Sequence, residues 1–476
     1  MKMTHSQPEH LPVSRNLKIG LFHLGSGMAD VLATGVWNRI MIADLGFSAT
    51  PIGLLVSLRY FLSPLGIWAG RISDRRAVAG YRRLFWIWLG RAMMVASLFG
   101  LGLSTAHVAR GGEVTLAVWL ALALSLLLFS LGNAISGSTF LALIYDLAPE
   151  HQRGRAVGLV WTFLLVGFSV GGVLFGVMLP SGGDFARLED AVIGERVIDL
   201  FGTGFLNFSP QTLQNLFIYS AIIMAVLWFV SLAGEERRAR TAVAAEPAPE
   251  SSSLRHDLGL AWNNRQTRLF FWFLSLSMIC SFAQDLILEP FAGDVFNMDA
   301  RHTTRFAAYW GSMSILGTLV FLALSRRIPR LTNAVTSIIG VATLLLTFVV
   351  FSVSALGHVR GLVTPGLILL GIGLGIWNVG TLGLMMDMSP FGRAGTFLGF
   401  WTLVSTMARG FGVSFGGILR DLVLHLTGNL NIAYGTVFVL EAIGLVVCLA
   451  ILSRINVSAF KSETTEAAAV FAGAMD

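Results

Sequence analysis

The sequence predicts an all-α polytopic membrane protein with twelve transmembrane helices, arranged as two six-helix pseudo-repeats. Three observations carry this. Hydrophobic residues make up 55% of the 476-residue chain and charged residues only 13%, where a soluble chain carries about 25% charged residues. Apolar runs of about 20 residues, the length that crosses hydrocarbon as a helix, recur throughout. A set of polar landmarks also repeats between the halves at matching points of the topology.

The spans run approximately over 17–44, 49–71, 84–106, 114–147, 155–180, 212–233, 267–293, 303–325, 332–356, 361–388, 394–422 and 431–454. Several exceed the bilayer thickness, so tilt is expected. This gives a cytoplasmic N-terminus at 1–16, a six-helix bundle at 17–233, a linker at 234–266, a second six-helix bundle at 267–454 and a cytoplasmic tail at 455–476. Residues 1–16 are polar, with no cleavable signal pattern. The loop 181–211 is acidic and reads as a short surface helix. The AVAAEPAPESSS stretch of the linker reads as flexible chain. The segment after it carries Leu254, Leu258 and Trp262 at helical spacing and suits the membrane interface.

Lys and Arg set the orientation. With both termini inside, 22 of the 33 Lys and Arg residues are cytoplasmic, 7 are outside and 4 lie within spans. The bias favours cytoplasmic termini. It also explains the net charge of +6 without nucleic acid. The two Cys, Cys280 and Cys448, lie far apart within apolar runs and make neither a disulfide framework nor a zinc site.

The loop between the second and third spans reads GRISDRRAVAGYRR, with Gly70, Asp74, Arg75 and Arg76 at its head. Its second-half counterpart, SRRIPR, keeps the arginines and lacks the acid. Asp30 and Asp285 lie 255 residues apart in the first span of each half, and Arg71 and Arg326 share that offset. Asp146 in YDLAPEHQRGRAVG matches Asp387 in MDMSPFGRAGTFLG at an offset of 241. Each of these two Asp is followed three residues later by Pro. A ladder with a drifting offset indicates duplication followed by changes in loop length.

No catalytic constellation or phosphate-cradling loop appears, so the chain does not read as an enzyme or an ATP-driven pump. Ionisable residues inside spans stand out instead, because a charge in hydrocarbon needs an interior position and a partner. In the first span, His23, Asp30 and Trp37 are spaced by seven and share one face of a regular helix. That face reads as a cavity wall or as a packing network. Arg39 points away from Asp30 and needs another partner, and Asn38 adds an amide. Arg59, Arg91 and Arg409 are further buried cations. Asp285 and Glu289, four apart on the seventh helix, form either a proton site or an ion pair with Arg39 or Arg59. The glycines of the fifth span (Gly158, Gly167, Gly171, Gly172, Gly176) read as a close-packing face.

Gly70-x-x-x-Asp74-Arg75 resembles the signature cytoplasmic loop of the major facilitator superfamily. The fifth-span glycines resemble its antiporter motif, with Gly172 where Pro is usual. The order Leu-Phe, Gly-Met-Ala, Thr-Gly, Asn-Arg-x-Met-Ile and Leu-Gly within 20–55 is similar to PucC-like proteins, the bacteriochlorophyll-delivery branch that takes in the light-harvesting assembly proteins PucC and LhaA. Gly80-Tyr81-Arg82-Arg83 resembles the Gly-Trp-Arg-Arg stretch of that branch. The resemblance implies a superfamily fold and a non-enzymatic carrier or assembly factor in the inner or intracytoplasmic photosynthetic membrane of a phototrophic bacterium. It would deliver bacteriochlorophyll, or a precursor, to light-harvesting or reaction-centre polypeptides, beside chlorophyll synthase. A chlorin needs an apolar aromatic cleft and one neutral donor to its magnesium; His23 is a candidate, as is Asn38 or a water. Two rival readings remain: a proton-coupled secondary transporter of an amphipathic small molecule, and a transport-inactive scaffold for photosystem assembly.

Overall fold

Each apolar run becomes a helix, because hydrocarbon leaves backbone N–H and C=O groups no partner outside their own segment. The computed structural model describes residues 11–75, 77–180, 206, 208–236, 262, 264–389 and 394–460. Among these, eleven helical segments are long and apolar enough to cross a membrane. We label the helices α1 (Val13–Asp44), α2 (Ala49–Asp74), α3 (Leu84–Ala109), α4 (Leu116–Leu147), α5 (Arg153–Met178), α6 (Pro210–Leu232), α7 (Arg265–Leu286), α8 (Ala300–Arg327), α9 (Asn333–Leu356), α10 (Val363–Asp387), α11 (Ala394–Thr427) and α12 (Leu430–Leu452). The 34-residue α11 is the twelfth. The expected surface helix at 181–205, most of the linker with Leu254 and Leu258, Arg76, and the tail after 460 lie outside the described residues.

Local chemistry starts several helices. Ser209 accepts the Gln211 N–H ahead of α6, with Pro210 in its first turn. Asn264 accepts from Gln266 and Thr267 at α7, and Thr332 from Val335 at α9. Such caps satisfy N–H groups that the helix itself cannot.

Two compact units emerge from the contacts. One comprises 1–245, 285–312 and 416–433; the other comprises 246–284, 313–415 and 434–476. In the first, α3 packs on α4 and α6, and α1 on α5 and α6. In the second, α9 packs along α10. Glycines permit these approaches. A Cβ on Gly340 would meet the Trp377 backbone at 2.5 Å, and one on Gly90 would meet the Gly132 carbonyl at 2.5 Å. Lipid gives helices no hydrophobic reason to associate, so close van der Waals contact does that work.

Three helices depart from regularity. α1 contains two π-helical stretches, Val31–Val36 and Ile40–Asp44, around Trp37–Arg39. α2 is interrupted at Leu62–Ser63, ahead of Pro64, which cannot donate a helix hydrogen bond. The seventh span breaks into a 3₁₀ turn at Ala283–Leu286 and resumes as Leu288–Phe296.

Candidate functional site

The sequence residues expected to share the cavity wall do not stay together. A seven-residue repeat makes a stripe only on a regular α-helix, and the π turns after Asp30 rotate everything downstream. His23 instead packs among Phe22, Phe140 and Trp161, with ring centroids at 5.8, 4.8 and 5.7 Å. It is 7% exposed, and its Nδ1 is buried without a hydrogen-bond partner. Asp30 turns to α2, where its carboxylate accepts from Arg59 Nη1 at 2.9 Å; Arg59 also donates to the Tyr60 hydroxyl. Trp37 points to α3 and donates Nε1–H to Thr105 Oγ1 at 3.0 Å. Near Asp30, the fully buried Arg91 has its guanidinium 4.3 Å from the Phe22 ring and 4.8 Å from Trp228. Two aromatic faces thus stabilise a cation where water is excluded.

The seventh-span acids also differ from expectation. The break at Ala283–Ile287 separates Asp285 from Glu289, so they are not one turn apart on a continuous helix. Arg59 is engaged by Asp30. Glu289 is buried beside Gly35 in the first π stretch, within the fields of Asp285 and Arg39. In the other unit, Arg409 lies over the Phe282 ring at 4.1 Å.

We call the ends of the helices nearest the chain termini proximal and the opposite ends distal. Arg39 anchors the distal end of the first unit. Its Nη1 pairs with Asp44 at 2.9 Å and its Nη2 donates to the Met298 carbonyl at 2.9 Å. The guanidinium lies directly on Gly293, where any Cβ would collide with it. Asn38 donates to the Leu286 carbonyl at 2.9 Å. On the neighbouring residue, Asp294, a second arginine arrives from α11. Arg420 donates to Asp294 at 2.9 Å and to Asp421 at 2.8 Å. The Arg420 and Asp294 side chains are 4% and 0% exposed. Asp421 in turn accepts the Ala49 and Thr50 N–H groups at 3.1 and 2.7 Å and the Thr50 hydroxyl at 2.7 Å, capping α2.

Sequence reasoning missed Asp44, Asp294, Arg420 and Asp421. The charge count placed Arg420 on the outer side, at the very end of a span expected to finish at 422. The helix runs on to Thr427, so Arg420 lies within it rather than at its end. An Arg-Asp pair next to an apolar helix end was the available signal.

At the proximal end of the same unit, Arg83 is the hub. It donates to Asp74 at 2.6 Å, to Asp146 at 2.9 Å and to Ser73 Oγ at 2.6 Å. The loop acid and the repeat acid therefore meet on one guanidinium. Burial alone would weaken the charge of Arg83, but the Asp146 and Asp74 carboxylates hold its pKa above the ordinary arginine value. Glu236 accepts the N–H groups of Arg82, Arg83 and Leu84, and Glu235 pairs with Arg15 and Lys18. Gly70 lies on α2 facing Ser138, and Arg75 continues its last turn directly after Asp74. In the second unit, the repeat partner Asp387 accepts from Asn333 Nδ2 at 2.8 Å. The amide comes from the first turn of α9.

The fold and these clusters can be set beside known proteins. The family description "PUCC protein" matches residues 36–460. The chain belongs to the PUCC protein family. Protein PucC of Rhodovulum sulfidophilum is 29% identical over 428 residues, covering 87% of each chain. A Rhodobacter capsulatus protein named bacteriochlorophyll synthase 44.5 kDa chain is 30% identical over 437 residues, covering 90% of this chain and 91% of its own. Among solved structures, a bacterial homologue of the human lysosomal transporter Spinster, inward-facing and unoccupied, has a TM-score of 0.67 at 16% identity, with 95% and 98% coverage. The nucleoside transporter NupG has a TM-score of 0.61 at 15% identity, with 93% and 98% coverage. The PUCC chain thus has the fold of major facilitator transporters, and one of its relatives is named for bacteriochlorophyll synthesis.

Proposed function

We propose that this PUCC-family protein is a non-enzymatic carrier that delivers bacteriochlorophyll, or a precursor, to light-harvesting or reaction-centre polypeptides, working in the bacterial inner or intracytoplasmic membrane beside chlorophyll synthase, with both termini cytoplasmic. The observation that carries this reading is the surround of His23. An imidazole that makes no hydrogen bond among the described residues is walled by Phe22, Phe140 and Trp161. A chlorin is a flat apolar ring whose magnesium takes one nitrogen or oxygen donor, and ring walls with a single donor suit it as cargo. Asp30, Arg59 and Arg91 lie on neighbouring helices and supply polar contacts for its edge substituents.

Gentle purification from pigmented membranes tests this. Chlorin absorbance should copurify with the protein, and His23→Phe should lose it or shift its long-wavelength band. Deletion of the protein should deplete pigment–protein complexes. Pigment-free protein from a replete membrane, with normal complexes in the deletion strain, would sink the reading. Proton-coupled transport is favoured only by buried Glu289; there, Glu289→Gln would abolish substrate-driven proton flux in liposomes.

A further inference from the structure

We propose that the distal end of the first unit is a fixed seal, so that cargo enters and leaves this protein without passing through that end. The proposal deepens the carrier reading and rests on it for the identity of the cargo.

Two separate zones close this end. In the first, two arginines clasp one short stretch of the seventh span: Arg39 lies on Gly293 and holds the Met298 carbonyl, while Arg420 holds Asp294. The same Arg420 orients Asp421, which caps α2 by accepting the N–H groups of both Ala49 and Thr50. Parting these elements would strip a helix of its cap, break the Arg39–Met298 hydrogen bond and break the Arg420–Asp294 ion pair, whose side chains are 4% and 0% exposed. A Cβ on Gly417 would meet the Ala49 carbonyl at 2.8 Å, so α11 and the start of α2 touch backbone to backbone.

The second zone lies along α5 and the first turns of α8. A Cβ on Gly172 would meet the Ala308 nitrogen at 2.8 Å, and one on Gly176 would meet the Arg301 carbonyl at 3.2 Å. Beside them the Phe168 and Trp310 rings meet at a tilt with centroids 5.1 Å apart, and the Ser169 and Ser312 hydroxyls hydrogen-bond at 3.1 Å. Both zones join residues of the first sequence half to residues of the second. A passage through this end would have to open both together, against close backbone packing in one and buried charge in the other. A lipid-soluble cargo has no need of such a passage.

The hydroxyl pair provides the test. Ser169→Cys with Ser312→Cys, in a Cys280→Ala and Cys448→Ala background, places two thiols where an inter-helix disulfide can close. Oxidation with copper phenanthroline should cross-link the chain, and pigment–protein complexes should accumulate as fully with the link as without it. A link that stops accumulation, with recovery on reduction, overturns the seal while leaving the carrier reading intact. Labelling of Thr34→Cys with a membrane-impermeant thiol reagent reads the seal without reference to cargo. Thr34 should be unreactive from the face opposite a tagged C-terminus, in pigmented and pigment-free cells alike. Reaction from that face in either state overturns the proposal.

Discussion

Arg420 and Arg83 sit at opposite ends of the same unit, and each is held by two aspartates. Their settings differ. Asp294 and Asp421 on Arg420 have side chains 0% and 10% exposed, whereas Asp74 and Asp146 on Arg83 are 56% and 46% exposed. The distal cluster draws its members from α2, α11 and the broken seventh span, so it ties the two sequence halves together. The proximal cluster uses α2, the loop before α3, and α4, all from the first half. One chemical device therefore does two jobs. Where water is excluded, a lost partner strands a charge. Where water reaches the carboxylates, it replaces a lost partner at small cost.

The comparison breaks if the two ends respond alike to the loss of one acid. Asp294→Ala should have the largest effect. It leaves Arg420 buried without one of its acids and should destabilise the protein by about 3–5 kcal/mol, read as a large drop in melting temperature in detergent or as failure to accumulate in the membrane. Gly172→Ala comes next. A methyl group there strikes the α8 backbone, and overpacking of this kind costs about 1–3 kcal/mol. Gly158→Ala, on the same helix with no atom within 4 Å of an added Cβ, should leave the melting temperature unchanged. Equal behaviour of the two glycine variants would remove the distal packing argument.

Asp74→Ala should cost about 0–1 kcal/mol at low salt, and added salt should erase most of that difference, as expected for an exposed pair. The same salt should not narrow the gap between the wild type and Asp294→Ala. The smallest effect is expected at Arg326 and Arg327, whose counterpart loop contains no acid. Their alanine variants should match the wild type in stability and in pigment-complex accumulation, with Asp74→Ala the more disturbed. An equal or stronger effect in that second loop would cancel the asymmetry between the halves.

The asymmetry has a visible cause at the repeat acids. Asp146 meets a guanidinium and Asp387 meets the Asn333 amide. The duplication kept the acids in register, with Arg83 on one and Asn333 on the other. The repeat was legible because Asp-x-x-Pro survives as a pattern along the chain. The partner was not, because Arg83 and Asn333 lie in different local sequences and reach their acids only when the helices pack.

Sequence alone determined the polytopic helical fold, most helix ends to within a few residues, and the burial of polar groups such as Asn38, Arg39, Arg91 and Glu289. These follow from composition along a line: apolar length fixes what can cross lipid, and a charge within that length must turn inward. Tertiary structure decided who meets whom. The π turns in α1 re-aimed Trp37, and the neighbours that pack on His23 and Asp30 gave these two different settings as well. The break at Ala283–Ile287 interrupted the helix between Asp285 and Glu289, and the packing of α11 on the seventh span and the start of α2 brought Arg420 and Asp421 into the distal cluster. Periodicity assumes a regular helix, and it is silent wherever packing pays better for an irregular one.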